Sequence, residues 1–124
     1  LKQRGGGAIE LQDPEPRRDF LYISDAIEAY IKAGEYTGSD FDIFNIGSGV
    51  SYSVDEIVMR ILETWGQEAK VSYQHKRRKD EIMDVIADVR KAKRQLGWEP
   101  KVDLDEGLRR YIGWYRTNTN RECG

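Results

Sequence analysis

Apolar residues recur along this chain at helical spacing in several stretches, with short extended-type runs between them. The clearest stretch follows Ser53. Val54, Ile57, Val58, Ile61, Leu62 and Trp65 fall at i, i+3, i+4, i+7, i+8 and i+11, one continuous helical face. Ser53 and Glu56 have the three-residue spacing of a reciprocal capping box, and Gly66 stands where a left-handed cap closes a helix. The same opening recurs at Asp25 and Glu28, ahead of Ile27, Tyr30, Ile31 and Gly34. It recurs at Asp103 and Glu106, ahead of a stripe of Leu104, Leu108, Tyr111, Ile112 and Tyr115. A weaker helix is predicted from Asp88, as its cap, to Leu96, closed by Gly97.

The strand candidates are Ala8–Leu11, Phe20–Ile23, Phe41–Ile46 and Val71–Tyr73, bounded by Gly, Pro and Asp-rich turns. Strands alternating with about four helices predict an α/β (α+β) domain built on a small sheet. That domain is expected over residues 1–116, with residues 117–124, TNTNRECG, as a disordered tail.

Composition narrows the picture. At 124 residues the chain is long enough for one domain with a core and too short for two ordinary ones. Charged residues make up 34% and apolar residues 39%, a globular balance rather than a disordered one. A formal net charge of −2 points away from nucleic acid or an anionic membrane as the global partner. No apolar run approaches the roughly 20 residues of a membrane helix. Cys123 is the only cysteine, so an intrachain disulfide and a four-cysteine zinc site are excluded, and a reducing cytoplasm is the expected compartment. The chain opens on LKQRGGG without a methionine, which reads as a fragment or an artificial start.

Three segments could carry chemistry. Arg17 and Arg18 stand at the mouth of the apolar run Phe20–Ile23, where a guanidinium pair is more often solvated than functional. The turn at Gly47-Ser48-Gly49, just before the Ser53 cap, resembles a phosphate cradle, although a tight loop is the commoner use of such a turn. The third is KRRKDEIMDVIAD, residues 76–88, whose basic run is ordinarily a solvated face. His75 has no Cys or His partner at metal spacing and reads as a surface histidine; no metal is expected.

Taken together and in order, these segments say more. RRDFLYISDAIEAY, then FDIFNIGSGVSYSVDEIV, then IADVRKAKRQLGWEPKVDLDEGLRRYIGWY closely resemble the carboxyl-terminal part of the extended short-chain dehydrogenase/reductases. These are the NAD(P)-dependent nucleotide-sugar epimerases and dehydratases, and the resemblance runs from about Gly5 to Tyr115.

It implies a pocket for a nucleoside-diphosphate sugar. The arginine of the RDF element, Arg18, would reach the diphosphate, and Phe20 would lie beside the nucleotide. Counting back seven residues from Asp88 gives Glu81 for the ribose hydroxyls, and Arg78 for the phosphates. The loop reads RKDE where the family commonly has RPGD, so Arg77 and Asp80 stand as alternatives. Arg17 is expected to remain a surface charge. The chemistry suits these residue types: guanidinium gives planar, bidentate neutralisation of phosphate, and a carboxylate accepts from both ribose hydroxyls.

The family's GxxGxxG cofactor turn and its Tyr-x-x-x-Lys pair have no counterpart in the sequence. The resemblance therefore implies a substrate-binding lobe without catalytic residues, without its own NAD(P) site, and inactive alone. A lobe parted from its Rossmann half would expose apolar surface and strand edges, so self-association or docking to a separate Rossmann half is expected. A non-enzymatic interaction module reusing the fold is the competing reading. Nucleic-acid binding through Lys76–Lys79 and Arg90–Arg94 would need a basic balance that the chain lacks.

Overall fold

The computed structural model describes residues 7–119. Four helices and four short strands follow in the order β1 (Ala8–Leu11), β2 (Arg17–Asp19), α1 (Ile23–Gly34), β3 (Ser51–Ser53), α2 (Val54–Trp65), β4 (Lys70–Tyr73), α3 (Arg90–Leu96) and α4 (Leu104–Thr119). This is the expected small α/β fold. Its strands form two separate pairs, β1 parallel to β4 and β2 antiparallel to β3. None of the described helices is long and apolar enough to cross a membrane.

The helix signals read from the sequence hold best where the side chains close their own caps. Ser53 accepts from the Glu56 amide while Glu56 accepts from the Ser53 amide, so the capping box of α2 is complete. Gly66 and Gly97 close α2 and α3 at φ 70° and 60°, a backbone that residues with a Cβ enter only with strain. Asp103 caps α4 through the Glu106 amide at 2.8 Å, but Glu106 turns to Arg109 and Arg110 instead of completing the box. Asp88 accepts from the Arg90 amide at 3.1 Å, although Val89 is the residue at the helix boundary. Helix α4 continues through Thr119, three residues into the expected tail, while Asn120 to Gly124, with Cys123, lie outside the described residues.

Three expectations fail for identifiable reasons. Phe20–Ile23 is not a strand. The strand is Arg17–Asp19, because β3 on one edge and residues 83–85 on the other run alongside only those residues. After Asp19 the chain turns into α1, whose boundary residue is Tyr22 with no side-chain cap. Asp25 accordingly starts nothing. It is 2% exposed, and its carboxylate accepts from the Lys101 and Val102 amides at 3.0 and 2.9 Å while its carbonyl takes the Trp98 indole N–H at 2.9 Å. Phe41–Ile46 alternates as a strand should, with Asp42, Phe44 and Ile46 half-buried between exposed Phe41, Ile43 and Asn45. No ladder partner lies beside it among the described residues, so it stays irregular.

The core is small and lies between α1 and α3. Ala29, Ala92 and fully buried Trp98 form it, packed against Leu21, Phe44, Ile46, Val89 and Leu96. The apolar residues of α1 read as its packing stripe, Ile27, Tyr30 and Ile31, point outward instead, as does Ile23 at the helix start: all four are exposed. On the other side α2 packs on α4, where the Trp65 and Tyr115 rings meet at a tilt of 58° with centroids 5.6 Å apart. The Tyr73 hydroxyl donates to Asp55 in the first turn of α2, and burial together with that carboxylate pushes the phenol up to about 12.

Candidate functional site

Strand β2 organises the site because its three consecutive polar side chains each reach a different segment. Arg17 stays half-exposed, but its side chain is tied down. Its guanidinium donates to the Ser51 carbonyl at 2.7 Å and pairs with Glu56 at 2.8 Å, tying β2 to β3 and to the capping box of α2. Arg18 leaves the opposite way. One of its terminal nitrogens donates to the carbonyls of Arg17 and Ile82 at 2.7 and 2.8 Å, and the other pairs with Glu81. Among the described residues this leaves the Nε–H and one Nη2–H of Arg18 without a partner, two donors on a guanidinium that is already oriented.

Asp19 was not singled out from the sequence, yet it is the hub of this region. Its carboxylate accepts from the Ser48 amide and hydroxyl, both at 2.6 Å, from the Gly49 amide at 2.9 Å and from the Ala87 amide at 3.1 Å. Burial alone would push this carboxyl up, but the bonds from Ser48, Ala87 and Gly49 outweigh it and hold Asp19 below the ordinary range. The arrangement also decides the role of the glycine turn. The Ser48 and Gly49 amides that could cradle a phosphate are occupied by a carboxylate of the chain itself. Gly47 is buried at the tightest point: a Cβ there would lie 2.5 Å from the Ala87 Cβ and 2.6 Å from Asp19 Oδ2. The turn is a structural lock between β2 and the residues ahead of β3.

The residues expected from the 76–88 segment do converge. A cleft of about 260 Å³ is lined by Leu11, Gln12, Asp13, Pro16, Arg18, Val54, Lys76, Arg78 and Glu81. Arg18 comes from β2, whereas Arg78 and Glu81 arrive after β4, brought over by two backbone ties. The Lys76 amide donates to Gln12 and the Arg17 amide donates to Met83, at 3.1 and 2.7 Å. Asp80, one of the two alternatives, takes a positive φ of 61° and does not line this cleft. Arg77, the other, turns away to bridge Asp13 and Glu15. That contact holds Asp13 below the ordinary carboxylate range, chiefly through the Arg77 hydrogen bond. Phe20 lies apart, half-exposed in a second pocket of about 210 Å³ with Ser48, Val50, Tyr52, Pro100 and Val102.

Known proteins resemble this chain in sequence and in fold. A model of the GDP-mannose 4,6 dehydratase family matches residues 3–111. The chain belongs to this family of sugar-nucleotide, NAD-dependent epimerases and dehydratases. It is 36% identical over 98 residues to dTDP-4-dehydro-6-deoxyglucose reductase of Escherichia coli, covering 79% of this chain and 30% of that protein. The crystal structure of UDP-glucose 4-epimerase from Thermotoga maritima with UDP-glucose superposes at a TM-score of 0.80 and 34% identity, over 92% of this chain and 36% of that one. The protein MoeE5, solved with UDP-glucose and NAD, superposes at 0.81 and 30% identity, over 90% and 38%. The chain thus spans about a third of the length of the relatives it matches.

Proposed function

We propose that this chain is the nucleoside-diphosphate-sugar-binding portion, the C-terminal lobe, of an NAD(P)-dependent sugar epimerase or dehydratase. It positions substrate and does not by itself make or break bonds. One observation carries the reading: Arg18 on β2 and, 60 or more residues further on, Arg78 and Glu81 of the post-β4 segment line one cleft. The likeness to an epimerase solved with UDP-glucose supports it.

In this reading the two unpartnered donors of Arg18 meet one phosphate, and Arg78 meets the diphosphate from the opposite segment. Glu81 spends one oxygen on Arg18 and offers the other to ribose hydroxyls. Phosphate is bound by charge and planarity, ribose by an acceptor, and neither contact needs a proton transfer. NAD(P) would supply hydride chemistry in the rest of such an enzyme. No residue of this chain is assigned to holding it, since the glycine turn closes on Asp19. Melting of the chain against UDP-, GDP-, CDP- and dTDP-sugars tests the reading. At least one should raise the midpoint, and Arg18→Ala and Arg78→Ala should each abolish most of the rise. Silence from all four sinks it.

A second reading is favoured by a separate observation. Ile23, Ile27, Tyr30 and Ile31 lay a row of apolar side chains along one exposed face of α1, and Phe41 and Ile43 are exposed as well. Such surface fits an interaction module that docks a separate Rossmann half or a second copy of itself. Light scattering separates the cases. A mass that rises with concentration and returns to the monomer in Ile27→Lys supports docking between copies; a monomer at all concentrations leaves only the heterologous partner.

A further inference from the structure

The cleft carries more positive charge than the two arginines account for. Of its two carboxylates, Asp13 is held by Arg77 at 2.8 Å and Glu81 is paired with Arg18. Lys76 and Arg78 also line the cleft, and among the described residues neither has an ion-pair partner. Arg77 between them is engaged with Asp13 and Glu15, so the charge that Asp13 brings to the cleft is paired by a residue that does not line it, and Lys76 and Arg78 are left as unpaired cations there.

We propose that Lys76 is a specificity-determining residue of this cleft, binding the second phosphate of a diphosphate and setting a preference for diphosphates over monophosphates. This rests on the nucleotide-sugar reading of the cleft. Arg18 and Arg78 supply planar, bidentate contacts that converge on the first phosphate from two segments. An ammonium on a long flexible stem is a compact point charge, which adds neutralisation wherever a further phosphate lies within reach. Opposite charges a few ångströms apart at a partly exposed site are worth enough to separate ligands that differ by a single phosphate.

The test is isothermal titration of the chain with uridine diphosphate and uridine monophosphate, for wild type and for Lys76→Gln, Arg78→Gln and Lys79→Gln. Lys79 belongs to the same basic run but does not line the cleft, so its variant makes the same change in net charge elsewhere. Lys76→Gln should weaken the diphosphate about tenfold and the monophosphate less than twofold. Arg78→Gln should weaken both, and Lys79→Gln neither. Unchanged melting of the variants shows that the fold is intact. Equal losses for both nucleotides in Lys76→Gln, or a diphosphate loss in Lys79→Gln as large as that in Lys76→Gln, would overturn the proposal in favour of bulk charge. Wild-type binding that Lys76→Gln leaves untouched overturns this proposal alone. A wild-type chain that binds neither nucleotide defeats the nucleotide-sugar reading of the cleft as well.

Discussion

One carboxylate oxygen of Asp19 accepts both the amide and the hydroxyl of Ser48 at 2.6 Å, joining β2 to a turn 29 residues further on. Asp19→Asn keeps the size but presents an N–H₂ to donors that need an acceptor. Stability should fall by about 2 kcal/mol, the scale of losing a charge-assisted, partly buried bond. Urea denaturation of the two proteins measures it, and a midpoint shift near zero would show the hub to be dispensable.

The same carboxylate gives the pH dependence a sign. Asp19 is held below its ordinary value of 3.8, and Asp88 is lowered to about 2 by its hydrogen bonds from Arg90. A lowered carboxyl binds fewer protons folded than unfolded, so its contribution is present above pH 4 and lost as pH falls towards 2. Melting temperature should therefore be flat between pH 7 and 5 for these groups and drop below pH 4. In Asp19→Asn the low-pH drop should be shallower.

Gly47→Ala forces a methyl to within 2.5 Å of the Ala87 side chain and 2.6 Å of Asp19. Overpacking of this kind costs about 1–3 kcal/mol, and here the relief would come by pushing Asp19 off the Ser48 and Gly49 amides. Amide exchange at Ser48 and Gly49 should accelerate in this variant more than exchange in α2. Uniform acceleration across the chain would instead mean a global effect.

Trp98 and Asp25 form the other lock. Trp98→Phe removes the donor to the Asp25 carbonyl and leaves a cavity, with an expected loss of about 1–3 kcal/mol. Asp25→Ala strips the acceptor from two amides at once and should cost at least as much. Equilibrium unfolding followed by tryptophan fluorescence in Asp25→Ala, and by circular dichroism in both, reports these losses. A wild-type midpoint in Asp25→Ala would contradict the burial argument.

The sequence made visible those features that a segment closes on itself. The Ser53–Glu56 box and the caps at Gly66 and Gly97 depend on neighbours a few residues away, and each could be read from spacing. Features that need a distant partner could not. Asp25 carries the signature of a cap, yet amides 76 and 77 residues away claim its carboxylate. Phe20–Ile23 reads as a strand because an apolar run looks the same whether it pairs or enters a helix. Asp19 carried no signal apart from its place between Arg18 and Phe20. Arg18 and Glu81 meet across 63 residues, and the family resemblance, not periodicity, put them on the same ligand.

Glu81 should act on ligand through Arg18 as well as directly. With Glu81→Gln the orienting charge is gone while an acceptor for ribose remains. Affinity for a nucleoside-diphosphate sugar should fall by about tenfold, with a comparable loss for pyrophosphate alone. A variant that lost only the ribose-bearing ligand would assign Glu81 to the sugar-phosphate end without any role in holding Arg18.

The central claim is that the Arg18–Arg78–Glu81 cleft binds a nucleoside-diphosphate sugar, and amide chemical-shift mapping tests it most directly. The ¹⁵N-labelled chain is titrated with UDP-glucose and, in parallel, with GDP-, CDP- and dTDP-sugars. Saturable shifts should concentrate at Leu11 to Asp13, Arg18, and Lys76 to Glu81, and vanish in Arg18→Ala with Arg78→Ala. Saturable shifts centred on Phe20, Val50 and Val102 instead, or none with any of the four ligands, would contradict it.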